Sequence, residues 1–204
     1  MKIVRVEPTE SYFSLTWQLG IRCNYDCMYC PATWHDNTSR HHSLDTLKQT
    51  WISILNKTQQ LAYKISFTGG EPTSSKSFLP FLQWLRAEYS DIEFKILLTS
   101  NGSATYKYYH QLYECVDNIS FSTHSEHIDE HKFFDTVIQL HNTIGKTKHL
   151  HVNIMNETWN QSRIPEYQKI LQEHGISNSV NEINYALQTR PVPVFKGKLN
   201  LDIQ

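Results

Sequence analysis

Residues Arg22–Cys30 read RCNYDCMYC and place three cysteines, Cys23, Cys27 and Cys30, in a C-x3-C-x2-C spacing. Three closely spaced thiolates suit three irons of a four-iron cluster and leave the fourth iron without a protein ligand. An iron without a protein ligand is a place where a second molecule can bind and react. The spacing therefore indicates that residues 22–31 form a loop that holds an iron–sulfur cluster.

Two other interpretations of the cysteines stay open from the sequence. A zinc site would need a distant fourth ligand, which Cys115 or one of the 11 histidines could supply. A disulfide framework is the other, but four cysteines in 204 residues are too few for a disulfide-dense secreted domain.

A second motif lies in the segment Lys64–Thr73, which reads KISFTGGEPT, a short buried strand that ends in a turn. Gly69 and Gly70 have no Cβ atom, so they let a backbone come close to a bound ligand. Glu71 offers a carboxylate to a cationic group, and Pro72 fixes the direction in which the chain leaves the turn. Alone, the segment is also compatible with an ordinary turn after a strand.

Together, the two motifs resemble those of the radical S-adenosylmethionine (radical SAM) superfamily, and the resemblance covers roughly residues 13–188. It implies a partial barrel in which the cysteine loop follows the first strand and holds a [4Fe-4S] cluster. The methionyl amine and carboxylate of SAM then chelate the open iron. The resemblance also implies that the Gly-Gly-Glu-Pro segment contacts the methionyl amine and that Tyr29 packs near the adenine.

Composition indicates an ordinary soluble domain, with 39% hydrophobic residues, 19% charged residues and a formal net charge of −1. A length of 204 residues suits one domain over residues 1–204. The charge balance provides no basic field for nucleic acid and no polybasic membrane anchor. We find no apolar run of signal-peptide or membrane-span length. We therefore expect a cytoplasmic protein, in a compartment that keeps its thiols reduced.

A strand–helix rhythm runs along the chain. Apolar and alternating runs predict strands over residues 14–19, 65–68, 94–99, 118–122, 149–155 and 182–187. Helical periodicity predicts helices over residues 43–61, 77–89, 106–115, 128–143 and 165–174. Six strands that alternate with helices predict an α/β fold with parallel strands. The pattern fits a doubly wound open sheet as well, but the resemblance favours a (βα)6 partial TIM-type barrel with a parallel, curved sheet.

The carboxyl ends of parallel strands gather ligands, so motifs that are distant in sequence are expected to meet at one mouth. Ser100 and Asn101 resemble the family's Thr-Asn-Gly turn, which implies a contact with SAM; turn chemistry explains Asn-Gly equally well. Ser122 resembles a serine that bonds the ribose or the methionyl carboxylate. His124 stands where many relatives carry Asp, so ribose contact, substrate contact and proton transfer all stay open for it.

The fifth predicted strand carries Asn153 and Met155, at positions where the family often lines the adenine pocket. Period-two alternation places both on the same face of the strand. Trp34, just after the cysteine loop, is a candidate cover for SAM or the substrate.

The segment HSEHIDEH, residues 124–131, concentrates histidines and acids. His127 and His131 are spaced i,i+4 and would share a helix face, as metal ligands can. The alternative is a polar, solvated first helical turn with acids near its N-terminus. No further cysteine or carboxylate pattern completes a second metal site, so the alternative is favoured.

The resemblance implies reductive cleavage of SAM to a 5′-deoxyadenosyl radical, which abstracts a hydrogen atom from a substrate. A small-molecule or nucleotide-derived substrate is favoured, and an external flavodoxin- or ferredoxin-type protein would donate the electron. No second cysteine cluster follows, which predicts a compact member without an auxiliary-cluster domain and with a short tail over residues 190–204. The alternatives are glycyl-radical or peptide-modifying activity on a protein partner, which could cover the open barrel edge, and a non-catalytic iron–sulfur or zinc protein.

Overall fold

The computed structural model describes residues 2–8, 12–144 and 148–185. The predicted tail over residues 190–204 lies outside these ranges. Within the described ranges, no helix combines the length and the apolar composition that crossing a bilayer requires.

The sheet has seven strands that pair in chain order. The strands are β1 (Lys2–Pro8), β2 (Phe13–Gln18), β3 (Ala62–Thr68), β4 (Glu93–Ser100), β5 (Asn118–Thr123), β6 (His149–Asn156) and β7 (Ser177–Glu182). β1 pairs with β2 in the antiparallel direction, and all later neighbours are parallel. The six parallel strands form a curved sheet that does not close, which confirms the predicted partial barrel.

One helix connects each pair of successive parallel strands. The helices are α1 (Leu44–Thr58), α2 (Phe78–Glu88), α3 (Tyr106–Tyr113), α4 (Glu130–Thr143) and α5 (Ile164–Glu173). Short 3-10 helices cover Pro72–Ser74 and Gln161–Arg163. Side-chain caps explain where several helices begin: Ser43 accepts a hydrogen bond from the Thr46 amide before α1, and Asp129 accepts one from the Lys132 amide before α4.

The core lies between the sheet and the helices. Alternate side chains of each inner strand are fully buried there, as Tyr63, Ile65 and Phe67 are on β3. Phe67 meets Phe78 of α2 with ring centroids 5.3 Å apart. Burying a side chain of this size stabilises a fold by about 1.5–3 kcal/mol, so this layer holds the strand ends in place.

Two strands differ from the sequence-based expectation. The sixth strand, predicted over residues 182–187, lies earlier in the chain, at Ser177–Glu182. Its sequence, SNSVNE, contains one large apolar residue, Val180, which is itself exposed, so no hydrophobic pattern marks the strand. β1 has no counterpart among the predicted strands, and it pairs with β2 as an antiparallel edge strand.

Candidate functional site

A cavity of about 700 Å³ opens where β2 to β7 reach their carboxyl ends. Almost every site residue predicted from the sequence lines this cavity; the lining members are Cys23, Cys27, Tyr29, Cys30, Gly69, Gly70, Glu71, Ser100, Asn101, Ser122, His124 and Met155. Elements that are more than a hundred residues apart therefore contribute to one site, as expected for parallel strands.

The cysteine loop leaves β2 and carries three cysteines that form no disulfide, of which Cys23 and Cys27 are buried and Cys30 is half-buried. Its backbone is fixed at the start, because the Cys23 amide donates to the Asp36 carbonyl oxygen at 2.7 Å. The Cys30 amide donates to the Cys27 carbonyl oxygen at 3.0 Å. Burial raises the pKa of the Cys23 and Cys27 thiols, so a bound metal would have to displace their protons.

The fourth cysteine lies elsewhere. Cys115 is buried just after α3, and its carbonyl oxygen accepts a hydrogen bond from Arg86 Nε at 2.9 Å. Cys115 is not part of the cavity wall. Among the described residues that line the cavity, Cys23, Cys27 and Cys30 are therefore the complete set of thiols.

The two glycines of the turn after β3 bring it against the start of the cysteine loop. Gly69 and Gly70 have φ angles of +92° and +49°. A Cβ atom on Gly69 would overlap the Gln18 side chain, and one on Gly70 would overlap the Arg22 carbonyl oxygen. The sequence indicated that these glycines allow close approach to a ligand. In the structure they also allow close approach to the chain that carries the cysteines.

Glu71 joins the ends of β3 and β4. Its carboxylate is buried and accepts hydrogen bonds from the Thr73 amide at 2.9 Å, the Ser100 hydroxyl at 2.9 Å and the Asn101 amide at 2.7 Å. Burial raises the pKa of Glu71, while these donors favour the ionised form. The carboxylate therefore organises the cavity wall, a role that the sequence did not reveal.

Asn101 extends this network to the cysteine loop. Its side-chain amide nitrogen donates to Asn24 Oδ1 at 3.0 Å and lies 3.9 Å from Cys23 Sγ. Its own side-chain oxygen accepts a hydrogen bond from the Ser103 amide at 3.0 Å, which fixes the turn after β4. Asn101 thus both lines the cavity and positions the loop that carries the first cysteine.

Comparisons with known proteins agree with this geometry. No family model matches the chain. It is 32% identical over 91 residues to a GTP 3′,8-cyclase of Pasteurella multocida (strain Pm70), a match that covers 45% of this chain and 26% of that protein. The chain thus spans about a quarter of the length of this curated relative.

Two solved structures share the fold. Streptococcus suis SuiB bound to the precursor peptide SuiA superposes with a TM-score of 0.62 at 15% identity, covering 85% of this chain and 40% of that one. Native anSMEcpe with bound AdoMet gives a TM-score of 0.63 at 14% identity, covering 83% of this chain and 50% of that one.

The curated relative is a radical SAM enzyme. The cysteine loop, the glycine turn and the partial barrel of this chain resemble those of the radical SAM superfamily.

The residues of this cavity fit a [4Fe-4S] cluster and SAM. The donor set is three thiols on one loop that form no disulfide, with the fourth cysteine in another part of the fold. The turn Gly69–Glu71 lines the same cavity without a side chain at its first two positions. Cys23, Cys27 and Cys30 would therefore hold the cluster, and the glycine turn would leave room for SAM beside it.

Tyr29 and His124 pair with each other in the wall of the cavity. The Tyr29 hydroxyl and His124 Nδ1 share a hydrogen bond, and their rings lie nearly parallel with centroids 5.9 Å apart. Burial lowers the pKa of His124 to about 4, so the imidazole is neutral at pH 7. Burial also raises the pKa of the Tyr29 hydroxyl. A neutral ring pair is a suitable wall for a planar, apolar face such as a nucleobase.

Two acids lie close to the cavity wall, and the sequence did not assign a role in the site to either of them. Glu157, just after β6, is fully buried, and burial raises its pKa to about 8. Its carboxylate accepts a hydrogen bond from the Ser125 amide at 2.9 Å. Glu126 accepts a hydrogen bond from the Met28 amide, inside the cysteine loop, at 3.0 Å. The position of an acid directly after a parallel strand is the one signal that could have pointed to Glu157.

The segment 124–131 behaves in two ways. His131 is 86% exposed and pairs with Asp135 at 2.9 Å, as a solvated helical turn would. His127 stacks on Tyr25 with ring centroids 5.1 Å apart, and its Nε2 atom lies 3.7 Å from a Glu126 carboxylate oxygen. His127 and His131 thus contact different partners.

Of the remaining predicted residues, some line the cavity and others do not. Met155 lines the cavity, whereas Asn153, on the same face of β6, lies deeper in the sheet and accepts a hydrogen bond from the Ser179 hydroxyl at 3.3 Å. Pro72 is buried as the first residue of a 3-10 helix, outside the cavity wall. Trp34 lines the cavity and is 59% exposed, which places it at the rim.

Proposed function

We propose that this chain is an enzyme that holds a [4Fe-4S] cluster on Cys23, Cys27 and Cys30 and binds SAM beside it. The observation that carries the proposal is that the three thiols and the Gly69–Glu71 turn line one cavity. An electron carrier or a storage site has no need of a second binding surface next to its sulfurs. The match to a curated radical SAM relative supports the same conclusion.

With the cluster and SAM bound, this site would supply the reductive cleavage of SAM to a 5′-deoxyadenosyl radical, which removes a hydrogen atom from a substrate carbon. The protein's part is binding and orientation. The glycine turn orients the methionyl group. Tyr29 and His124 form the part of the wall that faces the adenine. Asn101 fixes the cysteine loop through its hydrogen bond to Asn24. Buried walls around Cys23 and Cys27 limit the access of water to the sulfurs.

A small molecule is the substrate class that we favour. The cavity of about 700 Å³ would also have to hold the cluster and SAM, so the space that remains suits a small substrate. Its polar lining includes Gln18, Thr68 and Thr99, which suits a substrate with hydroxyl, amide or base-edge groups. The relative from Pasteurella multocida is named for a reaction of GTP, which supports a nucleotide-derived substrate. An external one-electron donor completes the system.

A zinc-binding protein is the second candidate, and one observation favours it. Cys27 Sγ, a Glu126 carboxylate oxygen and a His127 ring nitrogen all lie within 4.8 Å of one another. Sulfur, oxygen and nitrogen donors of this kind are usual zinc ligands. This set would leave Cys23 and Cys30 unused, which is why the cluster is the better account of the loop.

Anaerobic reconstitution with iron and sulfide tests the proposal. The wild-type protein should show the broad brown absorbance of an iron–sulfur cluster and, with dithionite and SAM, should release 5′-deoxyadenosine. Cys27→Ala should lose both, while Cys115→Ala, which removes a cysteine outside the cavity, should keep both. The proposed enzyme activity would be refuted if metal analysis found one zinc and no iron, or if the protein were brown but never cleaved SAM.

A further inference from the structure

Glu126 reaches the cysteine loop from the far side of the cavity. Its Oε2 atom accepts a hydrogen bond from the backbone amide of Met28 at 3.0 Å, although the two residues are 98 positions apart in the chain. The Glu126 side chain is 15% exposed, and Met28 is buried. The carboxylate is therefore held in one orientation against the segment between the second and third cysteines.

The same carboxylate lies beside the sulfur of Cys27. A Glu126 oxygen, a His127 ring nitrogen and Cys27 Sγ lie within 4.8 Å of one another. His127 is held in turn by stacking on Tyr25.

A carboxylate held beside Cys27 would affect the reduction of a cluster bound to this sulfur. Reduction of a [4Fe-4S] cluster from the 2+ to the 1+ state adds one electron, which the external donor supplies, and forms no bond. Cluster potentials respond to net charge, to hydrogen bonds near the sulfurs and to solvent exposure. In a buried, low-dielectric setting, a carboxylate near a ligand sulfur makes the added electron less favourable.

We propose that Glu126 is a positioning residue of the cysteine loop that, through Cys27, lowers the reduction potential of the cluster. This inference rests on the proposed function, since it requires that the three cysteines hold a cluster. It adds a role for the segment 124–131 that neither the cysteine motif nor the glycine turn provides.

The test compares midpoint potentials of reconstituted protein in a dye-mediated titration followed by electron paramagnetic resonance. Glu126→Gln keeps an oxygen that can accept from the Met28 amide and removes the charge, so its potential should shift to a more positive value. Glu126→Ala removes both the charge and the acceptor and should shift in the same direction. Asp135→Asn is the matched control: it removes an acid from α4 that pairs with exposed His131, and its potential should equal that of the wild type.

A wild-type potential in either Glu126 variant that assembles a cluster would overturn the electrostatic role. If both variants keep the wild-type circular dichroism spectrum but hold no cluster, Glu126 is a structural requirement of the loop and the electrostatic role is likewise overturned. A wild-type protein that assembles no cluster overturns the proposed function itself, and that result is separate from an unchanged potential in loaded variants.

Discussion

The backbone amide of Glu71 donates a hydrogen bond to the carbonyl oxygen of Arg22 at 2.9 Å, so the glycine turn and the cysteine loop are directly joined. The bond connects the end of β3 with the residue that precedes the first cysteine. It exists because Gly69 and Gly70 let the two backbones approach where any larger residue would collide. A change at either glycine that shifts the backbone of the turn is therefore expected to reach the cysteine loop.

Substitution at Gly70 tests this coupling. Gly70→Ala should be strongly destabilising, because the new methyl group meets the Arg22 carbonyl and the residue has a left-handed φ angle of +49°. Gly175→Ala is the matched control, since Gly175 has a φ of +68° and no heavy atom lies within 4 Å of the place that its methyl group would occupy. The control should cost only about 1–2 kcal/mol, which is the penalty of the left-handed conformation alone.

Urea unfolding of both glycine variants measures the comparison. The Gly70 variant should lose a further 1–3 kcal/mol or so, as overpacking does, and should bind less iron after reconstitution. Equal free energies of unfolding for the two variants would contradict the coupling.

Glu71→Gln should weaken SAM binding and leave the iron content unchanged. One amide oxygen can still accept hydrogen bonds, but the new NH2 group faces donors such as the Asn101 amide. A mismatch of this kind costs about 1–3 kcal/mol, and we expect a loss of SAM affinity of about tenfold, which corresponds to ~1.4 kcal/mol.

Equilibrium dialysis with SAM gives the affinity. Glu182→Gln, at an exposed acid of the cavity wall, is the control and should bind SAM normally; unchanged affinity in both variants would mean that the turn does not orient the methionyl group.

Glu157→Gln should change how stability depends on pH. Burial raises the pKa of Glu157 from an ordinary value of 4.5 to about 8, so between these pH values the folded state keeps a proton that the unfolded state loses. The contribution of this group to stability therefore falls as pH rises from about 4.5 to 8 and is constant outside that window. At ~1.4 kcal/mol for each pKa unit, the loss amounts to several kcal/mol.

Urea unfolding of the metal-free protein at pH 5 and pH 8.5 measures this effect. The Gln variant should gain stability relative to the wild type at the higher pH. Asp135→Asn, which alters a solvent-exposed acid, should show no such gain. Parallel curves for the wild type and Glu157→Gln would show that the acid ionises normally.

Trp34 should report ligand binding without contributing to stability. Its side chain is 59% exposed at the cavity rim, so Trp34→Phe should change the free energy of unfolding by about 0.5 kcal/mol or less. SAM bound in the cavity should change the fluorescence of the wild type, and the Phe variant should lose most of that change. A full fluorescence response in the Phe variant would place the ligand away from this rim.

The strand–helix order could be predicted because most strands carry a clear apolar pattern. β3 and β6 alternate fully between buried and partly exposed residues, and the predicted bounds lie close to the observed ones. β7 lacks such a pattern: sheet pairing with β6 stabilises a polar segment there, and local sequence cannot show this. β1 pairs in the opposite direction from the other strands, which a βα rhythm does not predict.

For the site, the sequence could predict which residues come together but not the hydrogen bonds that they form. The motif residues meet because they follow parallel strands, and that rule needs no coordinates. The bonds between them could not be predicted, since Glu71 to Asn101 and Glu126 to Met28 join residues that are far apart in the chain. Which side chain of the segment 124–131 turns inward is decided by packing, and Glu126 and His131 show opposite outcomes within this one short segment.

Residues that follow three different strands hydrogen-bond to the cysteine loop. Glu71 bonds to Arg22, Asn101 bonds to Asn24, and Glu126 bonds to Met28. All three hydrogen bonds join protein groups and require no metal. The apoprotein should therefore fold with its cysteine loop already in position, unlike small zinc modules that fold only around their ion. A chelator should remove the iron and leave the barrel folded. The metal centre could then be lost and rebuilt without unfolding of the protein.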